Sequence, residues 1–131
     1  MPVLDASVLV DYLAGGEHAE RSRERLLGAG ESLWAPHLVD AEVGHVLRRA
    51  VTIGELRQSA ARAALEDLTD MPLRRAGHVG LLERAWKLRS NITFYDALYV
   101  ALAERVDMPL VTLDARLERV PGVRAVIEVV R

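Results

Sequence analysis

The chain has 131 residues, half of them hydrophobic, with no cysteine and a formal net charge of −2. That length suits one domain, residues 1–131, able to bury roughly two thirds of its unfolded surface. The absence of cysteine excludes disulfides and thiolate metal sites, and the charge excludes a global attraction to polyanions.

No apolar run approaches the roughly 20 residues of a membrane helix, and residues 1–5 have neither the basic start nor the apolar core of a secretion signal. A cytoplasmic domain with no membrane partner is therefore expected. The positive charge is almost all arginine, Lys87 being the only lysine. Pairs such as Arg48-Arg49 and Arg74-Arg75 are able to touch phosphates, but solvated helix faces and ion pairs are the ordinary use of such residues.

Val3-Leu4 is a short apolar run entering Asp5, and residues 7–13 resume with helical spacing until Gly15-Gly16 stops them. Strand, turn and helix is the economical reading, with Asp5 at the strand's carboxyl end and Ser7 in the turn behind it. Residues 17–27 predict an exposed helix without a site, ended by Gly28 and Gly30, and residues 32–35 a second strand closed by Pro36.

Residues 37–50 predict a helix with Val39, Val43, Val46, Leu47 and Ala50 as its inward stripe, and Gly44 as a point of close backbone approach. Its two acids, Asp40 and Glu42, lie about 200° apart around the axis, so both cannot readily face one site. Glu42 flanks the stripe and is the site candidate. Asp40, in the first turn, complements the helix dipole.

Residues 53–68 predict another amphipathic helix, with Leu56, Ala60, Ala63, Ala64 and Leu68 inward, forming with its predecessor a hairpin that projects from the sheet. Residues 71–73 predict a short strand. Residues 77–88 predict a helix with Val79, Leu82, Ala85 and Trp86 repeating at helical spacing. Trp34 and Trp86 are expected in the core, because no basic and aromatic residues interleave around either.

Residues 94–106 are nearly apolar on all sides, the mark of a buried helix. Asp96 in its first turn enters a sparsely hydrated neighbourhood, where an unpaired carboxylate is costly, and Thr93-x-x-Asp96 is a variant of the capping box. Residues 110–113 predict a strand running into Asp114, followed by a short helical turn and a last strand over 123–130. His18, His37, His45 and His78 are dispersed without ligand spacing. Only His45, one turn from Glu42, comes near a candidate site residue.

Asp5, Glu42, Asp96 and Asp114 each have a bland role as a cap or a surface acid. All four, however, fall at strand carboxyl ends or helix starts, which a parallel sheet with helical crossovers gathers on one side. Two carboxylates about 4 Å apart repel by roughly 4 kcal/mol at an effective dielectric of 20, so four together require cations. Without cysteine or clustered histidine, hard oxygen ligands select Mg2+ or Mn2+ over zinc. Such an ion activates water and offsets phosphodiester charge, which is nuclease chemistry. A signalling receiver domain also uses acids at this edge, but its paired early acids and late lysine are missing here.

Leu4-Asp-Ala-Ser7, Pro36 through Glu42 to Leu47, Tyr95-Asp-Ala-Leu-Tyr-Val-Ala-Leu-Ala103 and Leu110-Val-Thr-Leu-Asp114 together resemble the PIN-domain ribonucleases, most closely the VapC-type toxins of bacterial toxin-antitoxin pairs. The resemblance implies a three-layer α/β/α fold with a mainly parallel sheet. It also implies an acidic cluster of Asp5, Glu42, Asp96 and Asp114 binding Mg2+ or Mn2+, with Ser7 supporting it. By the same resemblance the chain is a homodimeric endoribonuclease cutting single-stranded or loop RNA to 5'-phosphate and 3'-hydroxyl ends. A VapB-type antitoxin covers the active-site groove with its C-terminal segment. The rival expectations are a catalytically silent RNA- or protein-binding module and a metal-dependent phosphatase.

Overall fold

A computed structural model describes residues 2–28 and 32–131; Gly30, expected to help end the second helix, lies outside them. Five parallel strands form one sheet: β1 (Val3–Leu4), β2 (Leu33–Pro36), β3 (Leu73–Ala76), β4 (Leu110–Thr112) and β5 (Ile127–Val129). Their order is β3-β2-β1-β4-β5. Val3 faces both Trp34 and Leu110, and Leu4 faces Val111. The chain winds outward from β1 to β3 and then returns to β4 on the other side of β1. The β1–β4 boundary is thus a topological switch point, and the crevice at its carboxyl edge is where this architecture receives ligands.

Helices α1 (Ala6–Ala14), α2 (Ala19–Leu27), α3 (Leu38–Thr52) and α4 (Gln58–Asp70) lie between β1, β2 and β3. Helices α5 (Leu82–Lys87) and α6 (Phe94–Val106) lie between β3 and β4. Right-handed crossovers in opposite directions put the two groups on opposite faces, which makes three layers. The central strands β1 and β4 are wholly buried, as strands covered on both faces must be. From Ala97 to Ala103 every residue of α6 is also buried, as its all-round apolar sequence predicts. Asp107 ends α6 in the left-handed region, φ 54°. No helix among the described residues is long and apolar enough to cross a membrane.

Two inward stripes differ from the sequence expectation. In α3, Val39, Val43 and Leu47 are buried, but Val46 is 43% exposed; a Cβ on Gly44 would meet nothing within 4 Å, so no backbone closes on it. The next helix starts at Gln58 rather than near 53, after Gly54 turns the chain at φ 81°. That rotates its inner face to Ala61, Ala64 and Leu68, leaving Ala60 and Ala63 exposed. This helix packs on α1 as well as α3 instead of projecting.

The segment 77–88 is also rephased. It opens as a tight 3-10 turn, Val79–Leu81, before α5, and the tighter winding shifts every later side chain around the axis. Leu81, Ala85 and Leu88 become the buried set, while Val79, Leu82 and Trp86 face solvent. Trp86 is therefore not a core residue, and Arg89 lies over its ring at 4.8 Å. Trp34 is half-buried beneath Arg74. The last strand is confined to Ile127–Val129.

Candidate active site

Asp5 leaves β1 extended, φ −77° and ψ 152°, and caps α1. Ser7 consequently sits in the first helical turn rather than in a connecting turn. The neighbouring strand ends in Thr112, whose buried hydroxyl donates to Asp5 Oδ2 at 2.7 Å. Thr112 Oγ1 in turn accepts the Asp114 N–H at 3.0 Å. Ser7 Oγ accepts the Leu113 N–H at 3.1 Å and touches Thr112 Oγ1 at 3.5 Å. The switch point is therefore stitched by two hydroxyls that fix Asp5 against the end of β4.

Glu42 reaches this edge from α3, and its Oε1 accepts the Tyr99 hydroxyl at 2.6 Å. Its neighbour Asp40 is turned away into a bidentate pair with Arg75, at 2.7 and 2.9 Å, as their angular separation requires. Asp96 arrives from the first turn of α6, its N–H donating to Thr93 Oγ1 at 3.1 Å. Asp114 caps the short turn Ala115–Arg119 and is clamped by Arg116 through Nε at 3.0 Å and Nη2 at 2.8 Å.

The electrostatics divide these acids. Burial raises Asp5 above the ordinary carboxylate range, against the opposing hydrogen bonds from Thr112 and Ser7. Burial also raises Glu42, against the opposing Tyr99 hydrogen bond, and the charges of Asp5 and Asp96 add to the rise. Asp96 is raised by burial and by Asp5 and Asp114. The Arg116 hydrogen bond instead lowers Asp114. Asp5, Glu42 and Asp96 thus share one field and, among the described residues, have no basic side chain bonded to them, whereas Asp114 is paired with Arg116. Tyr99, buried beside Glu42, is pushed far above the ordinary phenol range and stays a proton donor.

Among the described residues, no three acids or histidines stand close enough to form a ready-made metal shell. The donor set is nonetheless all oxygen, anionic and mutually repelling, which fits a hard divalent cation and not a soft one. It is an open set that a cation would have to draw together. His78 plays no part, since its Nε2 accepts the Leu38 N–H at 3.0 Å.

Two depressions flank the acids. One, about 790 Å³, holds Asp5 and Glu42 in an apolar wall that includes Val10, Leu38, Val46 and Tyr95, with His45 also lining it. The other, about 640 Å³, holds Asp96 and Asp114 together with Arg89, Arg116 and Arg119.

Tyr99 is the residue that sequence reasoning missed, because it reads as one more buried position in an apolar helix. The available signal was its place three residues after Asp96, on the same helix face.

A PIN domain model matches residues 3–123. The chain belongs to the PIN-domain family. Ribonuclease VapC1 of Mycobacterium tuberculosis is 49% identical over 130 residues, covering 98% of this chain and 97% of that protein. The VapC ribonuclease Mb0985 of Mycobacterium bovis is 42% identical over 117 residues, covering 89% and 88%. A crystal structure of VapBC2 from Rickettsia felis, bound to a DNA fragment from its promoter, shares the fold. Its TM-score is 0.70 at 17% identity, with 96% of each chain covered. The matched segment includes Asp5, Glu42, Asp96 and Asp114.

Proposed function

We propose that this chain is a metal-dependent endoribonuclease, a toxin restrained by a VapB-type antitoxin. The observation that carries the reading is the trio Asp5, Glu42 and Asp96. They arrive from three separate elements at the switch point, each raised in pKa, with no basic group among the described residues bonded to their carboxylates. These three are the residues to hold Mg2+ or Mn2+, with Asp114 at a second or weaker position because Arg116 already claims it. Bound there, a divalent ion supplies charge neutralisation at the scissile phosphate and a lower pKa for water.

The chain's own contribution is orientation. Thr112 and Ser7 hold Asp5 in register with β4, and Tyr99 occupies one oxygen of Glu42, leaving the other to serve as the ligand. Apolar walls beside Asp5 and Glu42 limit water. The names of the VapC relatives support RNA as the substrate. The VapBC likeness supports the antitoxin, and the apolar depression suits a segment of it lying over Asp5 and Glu42. Family resemblance also supports a homodimer, which sedimentation would test.

The reading is tested with a mixed single-stranded RNA pool. Cleavage with Mn2+ or Mg2+, abolished by a chelator and by Asp5→Asn, is the expected result. The open spacing of the acids favours one rival, a silent RNA- or protein-binding module. RNA that is bound but never cut, with either metal, would establish that rival instead.

A further inference from the structure

Most arginines near carboxylates in this chain are spoken for. Arg25 pairs with Glu128, Arg75 with Asp40, Arg84 with Glu104, Arg116 with Asp114 and Arg131 with Glu118. Arg89 and Arg119 are exposed and enter no ion pair among the described residues. Both line the depression that holds Asp96 and Asp114. In a chain of net charge −2, these two guanidinium groups put positive charge that no carboxylate claims beside an acidic centre. Planar guanidinium forks match phosphate oxygens.

A second, independent observation lies beside Arg89, on α5. Trp86 is 60% exposed, although a large aromatic ring gains most from burial. Its ring is covered on one side by the Arg89 guanidinium at 4.8 Å, which is held there as Arg89 Nη1 donates to the Trp86 carbonyl at 3.0 Å. An exposed indole beside an arginine that also lines an anion-compatible groove is the arrangement by which single-stranded nucleic acid is gripped: phosphates on guanidinium, a splayed base on the ring. The opposite depression has an exposed ring in Tyr95, but among the described residues no arginine lines it to hold the phosphates.

We infer that single-stranded RNA leaves the acidic centre along the arginine-lined depression. Arg89 and Arg119 contact phosphates flanking the scissile one, and Trp86 stacks an unpaired base beyond them. The inference rests on the ribonuclease reading. It adds the path of the strand on one side of the centre and makes that grip tolerant of sequence, because no base-edge reader is invoked. Trp86 lies on α5 and Arg89 in the turn that follows it; neither segment supplies a carboxylate to the centre, so their effect on binding is separable from chemistry.

The experiment measures affinity of the full-length chain for a labelled, mixed-sequence single-stranded RNA of about 20 nucleotides in chelator, over a salt series. Cleavage of the same RNA with Mn2+ is measured in parallel. Arg89→Gln and Arg119→Gln should each weaken binding about 5-fold or more at low salt. Each should also make the log–log salt slope shallower by about 0.7, the value for one lost phosphate contact on a single strand. Trp86→Ala should weaken binding by about 5-fold to 100-fold with the slope unchanged, and Trp86→Phe should recover most of it. Arg62→Gln, on α4 in a pair with Glu66, serves as the control, and it should change neither quantity. All the substituted residues are exposed, so thermal midpoints should stay within error of the parent. Unchanged affinity and slope in both arginine variants, with cleavage intact, would overturn the inference and leave the ribonuclease reading standing. A parent chain that neither binds nor cuts RNA would overturn both.

Discussion

The two depressions beside the acids have opposite chemistry although they meet at one edge of one sheet. The side toward α1 and α3 is walled by Val10, Leu38, Val46 and Tyr95 and contains Asp5 and Glu42. The side toward Ala115–Arg119 contains Asp96 and Asp114 among arginines. Their difference follows from how each wall is made. The first is the upper face of helices whose lower faces are core, so apolar side chains spill over its rim. The second is built from loops and a short turn whose core side, Ile92, Leu117 and Val120, is rimmed by exposed arginines. A partner that needs burial and a partner that carries phosphate can therefore be told apart at a centre only a few side chains wide.

The most severe way to break the comparison is to remove the centre that both sides share. Asp5→Asn or Asp96→Asn should lower single-turnover RNA cleavage at least about 100-fold, the order expected when the charge stabilisation from a bound ion is lost. Far-ultraviolet circular dichroism should be unchanged. Comparable cleavage in either variant would remove the acids from the chemistry. Tyr99→Phe should come next: a residue that only orients a ligand typically costs about 10-fold to 100-fold in metal affinity. Titration of Mn2+ by electron paramagnetic resonance reads that loss directly. RNA affinity in chelator should not move, because Tyr99 is buried beneath the site and lines neither depression.

A smaller effect distinguishes the two walls. Val46→Lys, at a position already 43% exposed, should weaken antitoxin binding about 10-fold by placing a charge in an apolar contact. It should leave metal-dependent cleavage within about twofold in the absence of antitoxin. Loss of RNA affinity instead, measured by fluorescence anisotropy, would reverse the assignment of the two sides.

The smallest effect is on stability. Asp5, Glu42 and Asp96 have folded pKa values above 3.8, 4.5 and 3.8. In that window the folded chain holds protons that the unfolded chain has released. Stability of the metal-free protein should therefore fall as pH rises through the raised values. Glu104 works in the opposite sense. Burial raises it, but Arg84 and the Arg124 backbone outweigh burial and lower it. Its contribution is present above 4.5 and is lost as pH falls through the lowered value. Thermal midpoints of the parent and Asp5→Asn across that range separate the two. The variant should gain on the order of 1 kcal/mol above the window, as relief of a strained functional site commonly does. A variant less stable than its parent at neutral pH would show that Asp5 is held more favourably than its burial implies.

Much of this arrangement was legible before any coordinates. Continuous apolar runs at 3–4 and 110–112 specify strands buried on both faces, and an all-apolar helix at 94–106 can only lie inside. The choice of Glu42 over Asp40 follows from their angular separation and from Glu42 flanking the inward stripe; in the fold Asp40 is paired with Arg75. The weaker readings were those in which a stripe had to be phased. Val46 and Trp86 both sit at helical spacing from true core residues, yet one is 43% and the other 60% exposed. A one-residue change in where a helix begins, or one turn of tighter winding, redirects every side chain after it by about 100°.

What the sequence determined alone is the set of elements and the acids at their ends, because hydrophobic period and local capping are properties of neighbouring residues. Only the tertiary structure decided which arginines are consumed by carboxylates and which remain uncommitted, that Tyr99 meets Glu42 across 57 positions, and that Trp86 faces solvent beside Arg89. Those outcomes depend on residues that become neighbours only when β4 returns beside β1, and no local pattern encodes a distance across that return.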